Sequence, residues 1–281
     1  MNSTDNDLKD EWLIPKSDIS FDYLRKFNRN MFFLHLIQGL LMVIFGFLPQ
    51  LGFSADIYTF YQNFDPGPPP TFGPVVEVFF TFTALGALVG TFLLLSALAH
   101  FLIAYPLNKK YVRDLKRGVN KIRWFEYAFS SSVMIVLIAL FFGVLDFWSL
   151  FMIFVSNFLM NMFGLLMENY NVYTRKLKEK INWTPYYLGV IAGAVPWIVI
   201  TAYFVSTDVS VGPGIPWFVY VIYGIELFFF NTFAINMILQ YKGIGKWKDY
   251  LYGERVYQLL SLVSKTFLAW LVFAGVFSPT G

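Results

Sequence analysis

The 281-residue sequence contains no cysteine and only two histidines, and charged residues make up only 14% of it. Without cysteine the chain cannot form disulfides, thiolate metal sites or a cysteine nucleophile. It also has no His-x-x-x-His metal pair and no glycine-rich phosphate loop, so neither a metal site nor an enzyme activity is predicted. Hydrophobic residues make up 57%, which is too apolar for a soluble domain of this length and indicates a polytopic membrane protein.

Seven apolar runs of about 20 residues are long enough to cross the ~30 Å hydrocarbon layer of a bilayer. They are 31–50, 76–105, 123–144, 147–167, 186–205, 216–240 and 253–277. We therefore predict an all-α bundle of seven transmembrane helices over residues 28–281. Residues 1–27 are polar and are predicted to be disordered or to lie at the membrane interface. The connector 51–75 contains Asp65-Pro-Gly-Pro-Pro-Pro and is predicted to fold as a small cap.

Lysine and arginine are concentrated in alternate connectors. Five precede the first run, seven lie around the connector between the second and third runs, four follow the fourth run and four link the last two. The connectors 51–75, 143–147 and 205–215 and the tail after Phe277 contain none. The positive-inside rule therefore predicts a cytoplasmic N-terminus, an extracellular cap loop and an extracellular C-terminus. Orientation and contact with anionic lipid account for the basic connectors, so no nucleic-acid partner is predicted.

Lys265 is the one lysine or arginine outside these basic segments, and it lies near the middle of the last apolar run. An amine at bilayer depth costs roughly 2.5–3.5 kcal/mol on insertion scales, so its presence indicates a function. A desolvated amine is a nucleophile toward an aldehyde, with which it forms a Schiff base. The alternatives are a side chain that reaches toward an interface and a plain buried ion pair.

A positively charged Schiff base inside a membrane requires an anion, and Glu126 in the third run can provide it. Glu126 and Ser130 are four residues apart and share a helix face, and Ser261 and Lys265 repeat that spacing on the last run. Two helices that each present a hydroxyl and one charge of opposite sign can form a compact polar site. The alternative is that Glu126 pairs locally with Arg123 at the membrane edge.

The segments Arg123-Trp-Phe-Glu126-Tyr-Ala-Phe-Ser130 and Ser261-Leu-Val-Ser-Lys265 resemble those of the heliorhodopsins, a family of retinal proteins with inverted membrane topology. The resemblance covers the chain after residue 27. It implies a light sensor with all-trans retinal bound covalently to Lys265 as a protonated Schiff base, with Glu126 as its counterion. It also implies light-driven isomerisation, a slow signalling photocycle without strong ion pumping, a cytoplasmic signalling partner, a homodimer and a multi-pass location in the cell membrane.

The resemblance also assigns roles to residues around Lys265. The implied Schiff-base hydrogen-bond network comprises Ser130, Ser261, His35, His100, Tyr127 and Asn157. The implied retinal pocket is lined by Trp197, Met160, Phe230 and Met134. The aromatic and methionine side chains could equally be ordinary core, and the histidines could be packed and hydrogen-bonded without moving protons. Glu168 and Glu254 lie close to basic segments, where we expect them to form solvated surface pairs.

Glu226 departs from the family pattern, which has an apolar residue at this place in the sixth run. A carboxyl buried at mid-span without a partner is expected to be protonated at neutral pH. One hypothesis is that Glu226 lies on a proton path, which would make the chain a light-activated proton-conducting or proton-transporting rhodopsin. The other is that a protonated Glu226 hydrogen-bonds to a neighbouring helix.

Other classes of membrane protein fit the sequence less well. An ion-pumping microbial rhodopsin would have its N-terminus outside, and it would have an acid at the position of Ser261. An animal-type opsin or another G-protein-coupled receptor would also have its N-terminus outside, and it usually contains extracellular cysteines. A membrane enzyme or transporter stays an alternative, although no inverted repeat is evident.

Overall fold

The structure is a computed structural model that describes residues 13–48, 54–83, 85–177, 180–211, 215 and 217–277. Within these residues, seven helices are long and apolar enough to cross a membrane. They are α1 (Phe21–Gly46), α2 (Leu85–Ala104), α4 (Lys121–Phe141), α5 (Phe147–Leu177), α6 (Thr184–Val211), α7 (Trp217–Lys242) and α8 (Tyr250–Phe277). A short helix, α3 (Asn108–Lys116), connects α2 to α4. The chain is a mostly helical bundle with seven candidate spans, as the apolar runs predict.

The first helix begins ten residues before the predicted first span. Ser20 caps it, since the Ser20 hydroxyl accepts a hydrogen bond of 3.1 Å from the backbone N–H of Tyr23. Residues 21–27 are therefore helical and not disordered, while their position relative to the membrane interface stays a prediction. Charged and polar side chains in the first turns lowered the hydropathy of a segment that is nevertheless helical. Helix α5 likewise extends ten residues beyond its predicted end at 167.

Residues 13–20 pack across the end of the bundle at which α3 lies. The backbone N–H groups of Leu13 and Ile14 both donate to the carbonyl oxygen of Lys116, and Ile14 is buried. The Ser17 hydroxyl donates to an Asp249 carboxylate oxygen at 2.5 Å. The described part of the predicted lead-in is therefore ordered against the bundle. Residues 1–12 lie outside the described residues.

A two-stranded hairpin occupies most of the connector between α1 and α2. Strands β1 (Ala55–Asp65) and β2 (Thr71–Phe82) are antiparallel, with Asp65 opposite Thr71 and a bulge after Ile57. The predicted second span began at residue 76, which is wrong, because 76–82 belong to β2. This part of β2 is rich in valine and phenylalanine, and hydropathy alone does not distinguish such a strand from a helix.

The hairpin is attached to the connector between α4 and α5. The backbone N–H of Tyr58 donates to the carbonyl oxygen of Leu145 at 2.9 Å, and the indole N–H of Trp148 donates to the Thr59 hydroxyl at 3.2 Å. Ile57 is 1% exposed and packs into the main apolar core. The cap that the sequence predicts at 51–75 is thus a folded hairpin at the end of the bundle opposite α3.

Helices α1 and α2 approach each other closely through glycine. A Cβ atom added to Gly46 would lie 2.2 Å from the backbone nitrogen of Ala87, so a larger residue would force the helices apart. The apolar core next to the hairpin includes Met42, Phe92 and Leu268 from three different helices.

Candidate functional site

Lys265 lies at the centre of a buried polar cluster formed by three helices. Its Nζ atom donates to Glu126 Oε1 at 2.6 Å, to the Ser96 hydroxyl at 2.5 Å and to the Ser261 hydroxyl at 2.9 Å. The lysine and glutamate side chains are only 3% and 6% exposed. The structure thus places the lone intramembrane amine against a carboxylate, which excludes a side chain extended toward an interface.

Helical spacing explains how Glu126 is held within this cluster. The Ser130 hydroxyl, one turn further along α4, donates to Glu126 Oε1 at 2.7 Å. On α8 the spacing is also four residues but in the opposite direction, since Ser261 precedes Lys265. The sequence left open a local pair between Glu126 and Arg123. That pair does not form, because the Arg123 guanidinium binds two other carboxylates.

Ser96 completes the cluster, and the sequence did not single it out. Its hydroxyl lies 2.6 Å from Glu126 Oε1 and 3.1 Å from the backbone oxygen of Phe92. A serine in a spanning helix commonly bonds to its own i−4 carbonyl, so the residue type alone gives no signal. The signal that was present is its spacing, since Ser96 lies one turn before His100 on α2.

The two histidines lie side by side, although they belong to different helices. The rings of His35 on α1 and His100 on α2 stack with centroids 5.5 Å apart and planes inclined by 6°. His100 Nδ1 lies 2.8 Å from Asn28 Oδ1. Neither ring nitrogen of His35 has a hydrogen-bond partner among the described residues. The structure therefore brings the histidines together next to the cluster without a direct hydrogen bond to Lys265 or Glu126.

Tyr127 and Asn157 lie near the cluster but do not hydrogen-bond to it. The Tyr127 ring centroid is 5.3 Å from Lys265 Nζ, while its hydroxyl donates to the backbone oxygen of Tyr257 at 2.8 Å. The Asn157 amide donates to the hydroxyls of Ser131 at 2.7 Å and Ser132 at 3.1 Å. Tyr127 thus forms a wall beside the amine, and Asn157 belongs to a separate polar group between α4 and α5.

An apolar cleft is lined by residues of α4, α5, α6, α7 and α8, and Lys265 is one of them. Met134, Met160 and Phe230 are among its lining residues, together with Trp124 and Tyr257. The fourth residue predicted for this pocket, Trp197, is not in the lining. Its ring packs against the ring of Phe230, a lining residue, with centroids 5.3 Å apart.

Two glycines make room for the side chains that shape this cleft. A Cβ atom added to Gly193 would lie 2.5 Å from Met160 Sδ, and one added to Gly164 would lie 2.2 Å from the Trp124 ring. Larger residues at either position would push these side chains away from their sites. The cleft therefore depends on small residues in α5 and α6 that the sequence analysis did not single out.

Comparison with protein-family models identifies the family of this chain. The family model described as Heliorhodopsin matches residues 24–277, which is nearly the whole chain. The chain belongs to the heliorhodopsin family. Heliorhodopsins are photoreceptor rhodopsins and not classical enzymes, so the protein is a retinal-binding, light-sensing, multi-pass membrane protein. No curated protein matches the sequence.

The residues present fit the retinal that the heliorhodopsin family implies. Retinal is an elongated apolar aldehyde, and the cleft offers one primary amine in a mostly apolar lining. Lys265 would hold the aldehyde end, and Met134, Met160 and Phe230 would contact the chain. Glu126 provides a negative charge beside the amine, as a cationic linkage requires.

Arg123 forms a second buried ionic group, the Arg123 triad, with Glu168 of α5 and Glu254 of α8. Arg123 donates to Glu168 Oε1 at 2.5 Å and to Glu254 Oε1, and the three side chains are at most 3% exposed. Asn120 joins both acids, since its backbone N–H donates to Glu168 and its amide to Glu254, each at 2.8 Å. The expectation of solvated surface pairs is therefore wrong, because the carboxylates face inward to a buried guanidinium.

Glu226 lies apart from both ionic groups. It is fully buried on α7, and neither carboxyl oxygen has a hydrogen-bond partner among the described residues. Residues of the main apolar core, such as Ile222 and Phe230, lie one turn to either side of it. The hydrogen bond to a neighbouring helix that the sequence led us to expect is not found in the described part of the chain.

We predict that Arg123→Met strongly destabilises the protein. Removal of one partner leaves two carboxylates buried without their guanidinium, and breaking a buried pair in this way costs about 3–5 kcal/mol. The thermal unfolding midpoint of the purified protein in detergent would measure the effect. Arg113→Met is the matched control, because the Arg113 side chain is 47% exposed on α3. Equal midpoints for the two variants would contradict a structural role for the Arg123 triad.

Proposed function

We propose that the protein senses light through all-trans retinal bound covalently to Lys265 as a protonated Schiff base. The observation that carries the proposal is the contact between Lys265 Nζ and Glu126 Oε1 at 2.6 Å, deep in the bundle and beside an apolar cleft. The amine and the aldehyde join with loss of water. Bound retinal supplies photoisomerisation of its polyene chain.

The protein side chains have distinct tasks in this proposal. Glu126 stabilises the positive charge on the Lys265 nitrogen. Ser96 and Ser130 both donate to Glu126 Oε1, so they fix the carboxylate on the lysine side, while Ser261 faces the nitrogen from its own helix. A light-induced displacement of the Lys265 nitrogen would break these short contacts, and the cluster would then have to redistribute its charge and protons.

The charge distribution supports a membrane orientation for the sensor. Lys109, Lys110 and Arg113 are exposed on α3, and the loop before α8 exposes further lysines. The hairpin at the opposite end contains no lysine or arginine. By the positive-inside rule, α3 and the N-terminus are cytoplasmic, and the hairpin and C-terminus are extracellular if the chain lies in the cell membrane. The basic side then faces a cytoplasmic signalling partner, and we expect the sensor to be a homodimer, as its family resemblance implies.

We expect Lys265→Ala to abolish the visible absorption band that forms when all-trans retinal is added to the purified apoprotein. The variant loses the only amine in contact with the cleft among the described residues, so the aldehyde has no nucleophile. Absorption spectroscopy after reconstitution measures this directly. Lys248→Ala, which changes an exposed lysine, should keep the band. A full visible band in Lys265→Ala would refute the covalent linkage.

Glu126→Gln should shift the absorption band to longer wavelength, because the negative charge that stabilises the positive end of the chromophore is removed. For the same reason the cationic form should be lost on alkalinisation at lower pH than in the parent. Spectra recorded during a pH titration test both points. Glu77→Gln, an exposed change in the hairpin, is the control. An unchanged spectrum and titration would show that another group is the counterion.

Light-driven proton transport is the second candidate function, and the buried carboxyl of Glu226 is the observation that favours it. A proton path requires a chain of groups that can exchange hydrogen bonds. Among the described residues, no hydrogen bond connects Glu226 to Lys265 or to the Arg123 triad. We therefore favour signalling over transport and retain Glu226 as a candidate proton path only for the alternative.

Photocurrent recording separates the two functions. In cells that express the protein we expect no sustained light-dependent current over a range of voltage and pH, because Glu226 is isolated from the Lys265 cluster. Glu226→Gln has nearly the same shape without the ionisable group and serves as the matched variant. A current in the parent that Glu226→Gln abolishes would establish transport and replace the signalling proposal.

A further inference from the structure

We propose that Asn28 is a positioning residue that holds His100 in the tautomer with hydrogen on Nδ1, which leaves Nε2 as the only nitrogen of that ring able to accept a hydrogen bond or a proton. The contacts that carry the proposal join Leu24, Asn28 and His100. All three residues are buried, with at most 6% of their surface exposed.

The orientation of the Asn28 amide follows from its bond within α1. One end of the amide lies 2.7 Å from the backbone oxygen of Leu24, one turn earlier. A backbone carbonyl can only accept, so the atom facing it must be the amide nitrogen, Nδ2. The opposite orientation would bring two acceptor oxygens within 2.7 Å of each other. The amide oxygen of Asn28 therefore faces α2.

The orientation of the Asn28 amide determines which ring nitrogen of His100 carries the hydrogen. The Asn28 oxygen lies 2.8 Å from His100 Nδ1 and can only accept, so Nδ1 must donate. In a neutral imidazole, Nε2 then carries a lone pair.

His100 is placed where this tautomer matters to the polar cluster. It lies one turn after Ser96 on α2, and Ser96 contacts both Lys265 and Glu126. The His35 ring stacks on His100, and its nitrogens make no hydrogen bond to the described residues that would compete for the His100 hydrogen. The consequence for the light reaction rests on the proposed function, since it requires charge to move at Lys265, whereas the tautomer in the dark does not.

The tautomer can be measured in the full-length protein, because the chain has only two histidines. Protein labelled with ¹⁵N-histidine, kept in the dark at neutral pH in lipid nanodiscs, would give two sets of ring-nitrogen signals. The variant His35→Phe identifies the set that belongs to His100. We expect a protonated Nδ1 and an unprotonated Nε2. A majority of the Nε2–H tautomer, or of the doubly protonated ring, would overturn the proposal.

Variants at Asn28 test whether this residue is the cause. Asn28→Leu should shift His100 toward the Nε2–H tautomer, whereas Asn28→Asp keeps an acceptor oxygen and should keep hydrogen on Nδ1. Asn231→Leu is the matched control, because Asn231 makes the same i−4 bond, to Leu227 on α7, away from the histidines. An unchanged His100 tautomer in Asn28→Leu would refute the positioning role. If Asn28→Leu does not fold, the parent and Asn28→Asp spectra decide.

The visible spectrum separates this proposal from the proposed function. A retinal band that depends on Lys265, together with a His100 that carries hydrogen on Nε2, would refute the role of Asn28 alone. An Nδ1–H tautomer in a protein that forms no such band would refute the covalent retinal linkage alone. In a protein that forms the band, Asn28→Leu should also change the decay rate of the light-induced state several-fold, while Asn231→Leu should not.

Discussion

The contact between the Lys265 amine and the Glu126 carboxylate is the interaction on which the site depends. Neither charge could be buried alone without a cost of several kcal/mol, and the pair is stable only when further hydrogen bonds satisfy the carboxylate and the amine. Hydroxyls from α2, α4 and α8 provide those bonds. The ion pair joins α4 and α8, the Ser96 hydroxyl joins α2 to both charges, and Lys265 also lines the apolar cleft.

The Lys265 cluster and the Arg123 triad are separate groups of buried polar side chains, and each contacts a different part of the bundle. The Lys265 cluster contacts the cleft directly, and Trp124 links the cleft to the Arg123 triad, since its ring lines the cleft and its indole N–H donates to Glu168 at 2.7 Å. The triad in turn binds Asn120, which caps α4. A change of shape in the cleft can therefore reach the α3 end of the bundle through groups that are already in contact.

The sequence predicts contacts between residues spaced one turn apart on the same helix. It does not predict contacts that require several helices to converge. Spacing brings Ser130 to Glu126 and Ser261 to Lys265, and the apolar runs give the number of spans. Ser96 was missed because its one-turn spacing from His100 does not show that this third helix converges on Lys265 and Glu126. The acids of the Arg123 triad were assigned to the surface because an isolated glutamate near basic residues has the same sequence pattern whether its partner lies in solvent or across the bundle.

The attachment of the hairpin has a mechanical consequence. The bond from Tyr58 to Leu145 ties the connector between α1 and α2 to the connector between α4 and α5. Two pairs of helices that are distant along the chain are thereby clamped at their outer ends. The two helix pairs are therefore joined by main-chain contact at the hairpin end, whereas at the α3 end α4, α5 and α8 are joined by the charged side chains of the Arg123 triad.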